Sequence, residues 1–299
     1  MEQKTHRPPE MIPQEELLHP GHPACPGCGA AISMRLALKA LGKKTMVVIP
    51  ASCWSVIAGT HPTFSLGVPL LHVPFISGAA AAAGVKASLE ARGDKETTVV
   101  AWAGDGGTYD MGFQGLSGAA ERRTDMIFVC YDNEAYMNTG GQRSSATPLG
   151  TYTATTPQGK GEDKKNLLSI MADHGTTYVA TANLAYPQDF LGKFKKAKAK
   201  SGFRFIHILS PCPPGWGYPE DKTVTMARMA VESRAYPLVE WEGERWHITY
   251  RPSFQVKIED YLLCQSRFAH WGEEKLTQIA QRVIHQWDRL TGLLEESKE

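Results

Sequence analysis

Short runs of consecutive apolar residues recur along this chain, and segments with helical spacing of apolar residues separate most of them. Such runs are typical of strands that are buried on both faces of a sheet. Their alternation with helices predicts an α/β fold, in which a mostly parallel sheet carries helices on both faces. The predicted strands are residues 45–50, 70–74, 97–103, 125–131, 177–181 and 204–209. The predicted helices are residues 30–41, 77–91, 110–122, 166–174 and 187–200.

The two ends of the chain differ from this central pattern. Residues 1–20 are rich in Pro, Glu and His without periodicity, which predicts an extended arm. Residues 237–250 contain two strand-like runs around a short polar turn and predict a hairpin, and residues 272–294 predict a polar helix. We therefore predict one domain over residues 1–235 and a C-terminal hairpin and helix extension over residues 236–299. This extension is too small for a core of its own, so it is expected to pack on the domain or on a partner subunit.

Composition excludes several classes of protein. The chain has 299 residues, with 32 Lys and Arg against 31 Asp and Glu. Because binding to nucleic-acid phosphates needs a basic excess, this balance argues against a nucleic-acid-binding protein. No run approaches the ~20 apolar residues of a membrane-spanning helix, and the first residues lack the apolar segment of a secretory signal. We therefore expect a cytoplasmic protein with no membrane contact.

Six cysteines stand in the sequence, and their even number permits a disulfide framework. A reducing cytoplasm disfavours disulfides, however, so clustered cysteines are expected to bind a metal or to take part in catalysis. Cys130 lies within a predicted strand, and Cys264 follows an apolar tripeptide. We interpret these two residues as small buried side chains.

The other four cysteines are predicted to meet at one edge of the sheet. Cys25 and Cys28 form a C-x₂-C pair, whose tight turn places both sulfurs on one side. Cys53 follows the strand that ends at residue 50, and Cys212 follows the strand that ends at residue 209. Four thiolates in one place suit either Zn²⁺ or a [4Fe–4S] cluster, and their spacing alone leaves both possibilities open.

A glycine-rich turn at residues 104–108 (GDGGT) follows a predicted buried strand. The backbone N–H groups of such a turn, at the carboxyl end of a parallel sheet, are suited to binding phosphates. A carboxylate would repel a bare phosphate, so Asp105 indicates a cation, and Mg²⁺ readily shares its coordination with phosphate oxygens. Asn133 follows the next strand and is expected beside Asp105. In isolation the glycines could form an ordinary turn and Asn133 a helix cap, but their combination favours a diphosphate held through Mg²⁺.

The order strand, GDGG, helix, strand and Asn resembles the thiamine diphosphate motif, in which Asp, Asn and one backbone carbonyl hold Mg²⁺. Together with the cysteines, it makes the chain similar to the thiamine-binding β subunit of 2-oxoacid:ferredoxin oxidoreductases, in particular the pyruvate synthase type. The resemblance extends over roughly residues 15–270. Its motifs are residues 22–29 (HPACPGCG), 104–114 (GDGGTYDMGFQ), 133–142 (NEAYMNTGGQ), 144–148 (SSATP) and 210–213 (SPCP).

This resemblance implies a thiamine diphosphate-binding fold and a set of site residues. The implied Mg²⁺ ligands are Asp105, Asn133 and the carbonyl of Ala135, and the implied [4Fe–4S] ligands are Cys25, Cys28, Cys53 and Cys212. The implied cofactor-binding residues are Gly104, Asp105, Gly106, Gly107, Thr108, Asn133, Ala135, Asn138 and Thr139. The implied catalytic residues, beside the reacting part of the cofactor, are Asn138, Trp54 and Ser55. An iron–sulfur cluster is thereby favoured over zinc, because the family's redox reaction needs a one-electron acceptor close to the thiamine.

The implied reaction is the oxidative decarboxylation of a 2-oxoacid with coenzyme A, with electrons passing through the cluster to ferredoxin. Pyruvate, converted reversibly to acetyl-CoA and CO₂, is the first expected substrate. Residues 53–55 (CWS) and 75–78 (FISG) differ from the patterns of common pyruvate enzymes of this type. A branched-chain 2-oxoacid, 2-oxoglutarate and oxalate are therefore alternative substrates.

Partner subunits are implied as well. The glutamate that acts on the aminopyrimidine ring of thiamine belongs, in this family, to a different subunit. The chain is therefore expected to be inactive alone and to work with an α subunit and a ferredoxin-like or γ subunit. Two other interpretations are a zinc-stabilised binding module and a non-oxidative thiamine decarboxylase or synthase, the second of which has no need of four clustered cysteines.

Overall fold

A computed structural model of the chain describes residues 11–253 and 255–296. Its centre is an eight-stranded sheet, counted over this described part of the chain, with strand order β2-β1-β3-β4-β6-β5-β7-β8. The strands are β1 Thr45–Pro50, β2 Leu70–Val73, β3 Thr98–Gly104, β4 Met126–Asp132, β5 Tyr178–Asn183, β6 Phe203–Leu209, β7 Leu238–Glu242 and β8 Arg245–Tyr250. Strands β1 to β6 are parallel, whereas β7 pairs antiparallel with β5 and β8 pairs antiparallel with β7. The predicted α/β class with a mostly parallel sheet is confirmed.

Helices connect the strands and cover the sheet. They are α1 Gly29–Leu41, α2 Cys53–Ala58, α3 Gly78–Ala91, α4 Phe113–Glu121, α5 Leu167–Asp173, α6 Pro187–Ala199, α7 Pro213–Trp216, α8 Thr223–Glu232, α9 Ile258–Leu263 and α10 Glu273–Glu296. The helix predicted at 110–122 is wrong at its start, because a π-helical turn, Gly106–Asp110, precedes α4. Four helices were not predicted: α2, α7, α8 and α9. Among the helices that the structure describes, none is long and apolar enough to cross a membrane.

Alternate residues of the parallel strands enter two hydrophobic clusters, one on each face of the sheet. Val100 and Trp102 of β3 point to the face covered by α1 and α6. Val99, Ala101 and Ala103 point to the face covered by α3, α4 and α5. Complete burial of one large apolar side chain contributes about 1.5–3 kcal/mol to folding, which explains why most positions of these strands are apolar.

The predicted burial is wrong for two segments. β2 is the end strand of the sheet and pairs only with β1, so its residues are half-buried and Leu71 is exposed. Cys264 is exposed rather than buried, because it follows the last turn of α9, whose Ile258 and Tyr261 face the protein interior. Cys130, in contrast, is buried in β4 as predicted.

A third hydrophobic cluster joins the C-terminal part to the rest of the chain. Trp216 and Met226 pack there with Ile258 of α9 and Leu276 of α10. Residues on both sides of the predicted boundary at 235 therefore share one cluster, and the division into a domain and an extension stays a prediction. The first half of the predicted arm, residues 1–10, lies outside the described residues. In the second half, Leu17 and Leu18 are buried.

Chemical labelling checks the corrected placement of the two cysteines. Brief treatment of the native protein with iodoacetamide is expected to label Cys264 and to leave Cys130 unmodified, because Cys130 is buried and burial raises the pKa of its thiol well above the usual range. Mass spectrometry of the digested protein gives the extent of labelling at each position, and a denatured sample serves as the fully labelled control. Equal labelling of both cysteines in the native protein would contradict this placement.

Candidate functional site at the carboxyl edge of the sheet

Four neighbouring strands bring the predicted site residues to one edge of the sheet. Strands β1, β3, β4 and β6 are adjacent in this order and parallel, so their carboxyl ends lie side by side. Cys53, Asp105, Asn133 and Cys212 follow these four ends in the same order. The chain passes from β1 to β2 on one side of β1 and then returns to β3 on its other side, which is the usual ligand-binding position of such sheets.

Three oxygen-bearing groups converge beyond the ends of β3 and β4. The terminal amide atom of Asn133 that faces this point lies 2.8 Å from the carbonyl oxygen of Ala135 and 3.0 Å from Oδ1 of Asp105. If this atom is the amide nitrogen, it donates a hydrogen bond to both oxygens. If it is the amide oxygen, three acceptors meet, and a cation is needed between them. Adjacent oxygens around an octahedral Mg²⁺ are about 2.8–3.0 Å apart, since each Mg–O distance is ~2.1 Å, so this donor set fits Mg²⁺.

Asp105 itself is almost completely buried, with 1% of its surface exposed, and Ser144 donates a hydrogen bond to its Oδ2 atom. Burial and then the charge of Asp132 raise the pKa of the Asp105 carboxyl well above its ordinary value. A nearby cation would favour the ionised form again. The position of Asp105 is therefore suited to binding a positive charge.

Asp132 is the buried carboxylate next in sequence to Asn133. Lys164 forms an ion pair with its Oδ2 atom, Nε2 of His207 lies 3.0 Å from the same atom, and the backbone N–H of Glu134 donates to Oδ1 at 2.8 Å. Burial raises the pKa of Asp132, but Lys164 and His207 outweigh this effect and lower the pKa to about 2. Lys164 and His207 therefore stabilise the ionised form of Asp132.

Glu134, on the other side of Asn133, is also buried and has a left-handed backbone with φ of 65°. Its carbonyl oxygen accepts a hydrogen bond from Thr147 Oγ1 at 2.7 Å. Its carboxylate pairs with Nη2 of Arg267 at 2.5 Å and with Nζ of Lys164 at 3.5 Å. Asn133 is thus held between two anchored carboxylates. Sequence reasoning missed these partners, and the only signal was the run of three polar residues after a buried strand.

The glycine turn packs tightly against the loop that follows β4. A Cβ atom at Gly106 would lie 2.5 Å from the ring of Tyr136, whose hydroxyl donates to Asp110 at 3.0 Å. Thr108 donates its hydroxyl hydrogen bond to the carbonyl of Gly104 at 2.7 Å. Gly106, Gly107 and Thr108 therefore lie at the predicted place, and their contact with a diphosphate stays a prediction.

The predicted catalytic residues occupy different surroundings. Asn138 and Thr139 are exposed on a loop that a bridge between Tyr136 and Gln142 closes. Trp54 is fully buried, with its ring centroid 6.1 Å from that of Trp102, which identifies it as a core residue.

Ser55, the third of these residues, is half-buried. Its side-chain oxygen accepts a hydrogen bond from the backbone N–H of Ser52 at 3.0 Å, and it lines a cavity with His22 and Thr60. The catalytic roles of Asn138, Trp54 and Ser55 stay predictions.

The C-x₂-C turn is fastened to the segment that carries Cys212. The backbone N–H of Gly29 donates to the carbonyl of Pro211 at 3.1 Å, and a Cβ atom at Gly29 would lie 2.6 Å from that oxygen. Thr223 donates to the carbonyl of Gly27 at 2.5 Å. Gly27 has φ of 68°, and a Cβ atom there would collide with the backbone of Glu220. Glycine at both positions therefore allows the two segments to touch.

The four thiols influence one another electrostatically. Burial, followed by the charges of the neighbouring Cys28 and Cys25, raises the pKa of Cys53 to about 11. Burial likewise raises the pKa of Cys212 to about 12, with additional effects from the other three thiols. All six cysteines lie in the described part of the chain and are free of disulfides. Among the described residues, no group of three or more His, Cys, Asp or Glu side chains is placed so that it could hold a metal ion, so a common metal site for the four thiols stays a prediction.

The four cysteines Cys25, Cys28, Cys53 and Cys212 are called the thiol group below, and Asp105, Asn133 and the Ala135 carbonyl are called the oxygen group. These two groups are linked by direct contacts. Trp216, one helical turn after Cys212, donates its indole N–H to the backbone carbonyl of Asn133 at 2.8 Å. A Cβ atom at Gly215 would collide with the sulfur of Met137, so the α7 helix also lies against the loop after Ala135. The two predicted sites are thus parts of one region.

Residues 57–208 match the family described as thiamine pyrophosphate enzyme, C-terminal TPP binding domain. This range covers half of the chain and includes Asp105 and Asn133. The chain belongs to this family. Cys25, Cys28 and Cys53 lie before the matched range and Cys212 lies after it, so the thiol group is an addition to the shared domain.

Two similar proteins and one solved structure show which members of this family the chain resembles. The pyruvate synthase subunit PorB of Methanothermobacter thermautotrophicus is 50% identical over 277 residues, which cover 91% of this chain and 96% of that protein. The ketoisovalerate oxidoreductase subunit VorB of Pyrococcus furiosus is 44% identical over 296 residues, which cover 95% of each chain. The solved 2-oxoglutarate:ferredoxin oxidoreductase from Magnetococcus marinus, with 2-oxoglutarate, coenzyme A and succinyl-CoA bound, has a TM-score of 0.59 and 26% identity over 75% of this chain and 82% of that one. The resemblance to 2-oxoacid:ferredoxin oxidoreductase β subunits is confirmed.

Replacement of Lys164 tests the buried charge arrangement around Asn133. Lys164→Met is expected to lower the free energy of unfolding by about 2–3 kcal/mol, because it leaves Asp132 and Glu134 without their shared cation. The adjacent Lys165→Met is the matched control, with an expected loss of about 1 kcal/mol, since Lys165 contacts the carbonyl of Tyr109 and the Phe113 ring rather than a buried carboxylate. Urea unfolding measures both values, and equal losses would contradict the assigned role of Lys164.

Proposed function

We propose that this chain is the thiamine diphosphate-binding β subunit of a 2-oxoacid:ferredoxin oxidoreductase that oxidatively decarboxylates a 2-oxoacid, first of all pyruvate, with coenzyme A. The observation that carries the proposal is the pairing of two sites on neighbouring strands. The terminal amide atom of Asn133 lies within 3.0 Å of both the Ala135 carbonyl oxygen and Oδ1 of Asp105, and the thiol group adjoins them through Trp216. An oxidative thiamine enzyme needs both a diphosphate–metal site and a nearby electron acceptor.

The residues of the oxygen group suit the diphosphate end of the cofactor. Asp105, Asn133 and the Ala135 carbonyl would hold Mg²⁺, and the glycine turn that follows β3 offers backbone N–H groups beside it. When bound, thiamine diphosphate supplies the electron sink for loss of CO₂ from the 2-oxoacid. Ser144 fixes the Asp105 carboxylate, and Thr147 fixes the loop through the Glu134 carbonyl.

The residues of the thiol group suit a [4Fe–4S] cluster, which would accept electrons one at a time. Cys25 lies in an exposed turn, whereas Cys28, Cys53 and Cys212 are half-buried, so a cluster here would have one side towards solvent. Burial raises the pKa of the last two thiols, and iron would favour their thiolate forms, as bound metals do. Free cysteines throughout also suit the reducing cytoplasm, which is part of the proposal.

The choice of pyruvate rests on the relatives, of which the one at 50% identity is named a pyruvate synthase subunit. Phe75 and Ile76 are the residues that we expect to select among 2-oxoacids. The ring of Phe75 lies 5.9 Å from that of Tyr136 and beside Gly107, and Ile76 is exposed next to it. A branched-chain 2-oxoacid is the main alternative substrate, since the relative at 44% identity is named a ketoisovalerate oxidoreductase subunit.

Partner subunits complete the proposal. The relatives are named as subunits, which supports a complex with an α subunit and with a ferredoxin-like or γ subunit. The exposed side of the Cys25 turn is the natural path for electrons towards the ferredoxin-like subunit and then ferredoxin.

Anaerobic reconstitution tests the proposed activity. The chain and its partner subunits are assembled with thiamine diphosphate and Mg²⁺, and ferredoxin reduction is followed spectroscopically with coenzyme A and a panel of pyruvate, 2-oxoisovalerate, 2-oxoglutarate and oxalate. We expect the highest kcat/KM with pyruvate and no turnover by the single chain. Turnover without ferredoxin would support a non-oxidative enzyme instead, and preference for another 2-oxoacid would contradict the choice of pyruvate.

Gly29 provides a test of the cluster that does not depend on activity. Gly29→Ala is expected to lower the bound iron severalfold, because the added methyl group pushes the C-x₂-C turn away from the Cys212 segment. Gly192→Ala is the matched control, since Gly192 is exposed on α6 with open space around its Cα atom. Iron analysis and absorbance near 400 nm after anaerobic purification measure the difference. A colourless wild-type protein that contains zinc would support the zinc-stabilised module.

A further inference from the structure

A buried arginine from the C-terminal part of the chain lies between the oxygen group and the thiol group. Arg267 is 4% exposed and belongs to the 3₁₀ turn Ser266–Phe268, far in sequence from both groups. Its Nη2 atom donates to Oε2 of Glu134 at 2.5 Å. Its guanidinium carbon lies 4.0 Å from the centroid of the Trp216 ring. One side chain thus contacts the residue after Asn133 and the aromatic residue that follows Cys212.

The turn that carries Arg267 is itself held in place from several sides. The backbone N–H of Ser266 donates to the carbonyl of Gly217 at 3.2 Å, and a Cβ atom at Gly217 would collide with the Ser266 hydroxyl. The carbonyl of Arg267 accepts from the backbone N–H of Tyr152 at 3.0 Å. Nε of Arg267 donates to Gln265 at 2.8 Å. The guanidinium therefore has little freedom to leave its position.

We propose that Arg267 is a positioning residue that keeps the Asn133 loop and the Cys212 segment in a fixed relation to each other. This inference rests on the proposed function, because it concerns the distance between the proposed metal–diphosphate site and the proposed cluster. Two contacts of Arg267 support this inference. The ion pair with Glu134 fixes the left-handed backbone that turns the chain after Asn133. The contact with the Trp216 ring covers the residue whose indole N–H donates to the Asn133 carbonyl at 2.8 Å.

An arginine side chain can make both contacts at the same time. A planar guanidinium can donate in its plane to a carboxylate while an aromatic ring lies against its face, which an ammonium group cannot reproduce. Replacement of a residue that orients a metal ligand without contacting the metal typically lowers metal affinity about 10–100-fold. Arg267 is therefore expected to influence Mg²⁺ binding without contacting the metal, and to influence the thiol group through Trp216.

The test uses the anaerobically purified complex and two readouts other than turnover. The first is the Mg²⁺ concentration needed for half-maximal binding of thiamine diphosphate, measured by equilibrium dialysis. The second is the electron paramagnetic resonance spectrum of the reduced cluster. Arg267→Met is expected to raise the Mg²⁺ requirement about 10–100-fold and to shift the spectrum. Arg267→Lys is expected to recover part of the Mg²⁺ affinity, since it restores the charge beside Glu134, but not the wild-type spectrum.

Two controls separate positioning from general damage. Arg245→Met changes an exposed arginine at the start of β8 and is expected to leave both readouts unchanged. Glu134→Gln combined with Arg267→Met removes the buried carboxylate that otherwise keeps only the more distant Lys164 as its partner, so it should recover folding stability while the Mg²⁺ requirement stays raised. Recovery of both readouts by this double variant would show a merely structural role and overturn the inference.

The remaining outcomes are also decisive. If Arg267→Met changes neither readout, or only one of them, Arg267 does not link the two groups. If lysine restores both readouts completely, charge alone suffices and the role assigned to stacking is wrong. A wild-type complex that binds no thiamine diphosphate with Mg²⁺, or that shows no cluster signal, would overturn the proposed function and this inference with it.

Discussion

Parallel pairing of β1, β3, β4 and β6 is the constraint on which the site depends. Because these four strands run side by side in the same direction, the residues that follow them are brought to one edge although they are distant in sequence. Cys53 and Cys212 stand at the two ends of this row, with Asp105 and Asn133 between them. A different order of these four strands would separate the thiols from the oxygen group. Changes to the residues at the amino ends of the strands would leave both groups in place.

Burial of charge is the second feature of the site. Asp105, Asp132 and Glu134 are each less than a tenth exposed, and isolated carboxylates in such surroundings would strongly destabilise the fold. The protein compensates Asp132 with Lys164 and His207 and compensates Glu134 with Arg267 and Lys164. Asp105 accepts a hydrogen bond from Ser144, and no residue in the described part of the chain forms a salt bridge with it, which agrees with a position for a bound cation. The loop that presents Asn133 is thereby held by ion pairs within the protein itself.

The sequence indicated part of this arrangement for identifiable reasons. Largely apolar runs predicted β1, β3, β4 and β6, because strands buried on both faces have few polar positions, and the motifs at Asp105 and Asn133 lie directly after two of them. The support from Lys164 and Arg267 could not be predicted, since both reach the site from segments that show no local pattern linking them to it. The exposure of Cys264 also escaped prediction, because an apolar tripeptide before it resembles a core segment until the direction of α9 is known.

Iron-edge anomalous diffraction from crystals of the complete complex, grown anaerobically with thiamine diphosphate and Mg²⁺, tests the central claim most directly. The account predicts iron anomalous density enclosed by Cys25, Cys28, Cys53 and Cys212, and diphosphate density bridged by a metal ion to Asp105, Asn133 and the Ala135 carbonyl. Zinc in place of iron, iron bound elsewhere, or a diphosphate distant from the ends of β3 and β4 would contradict it.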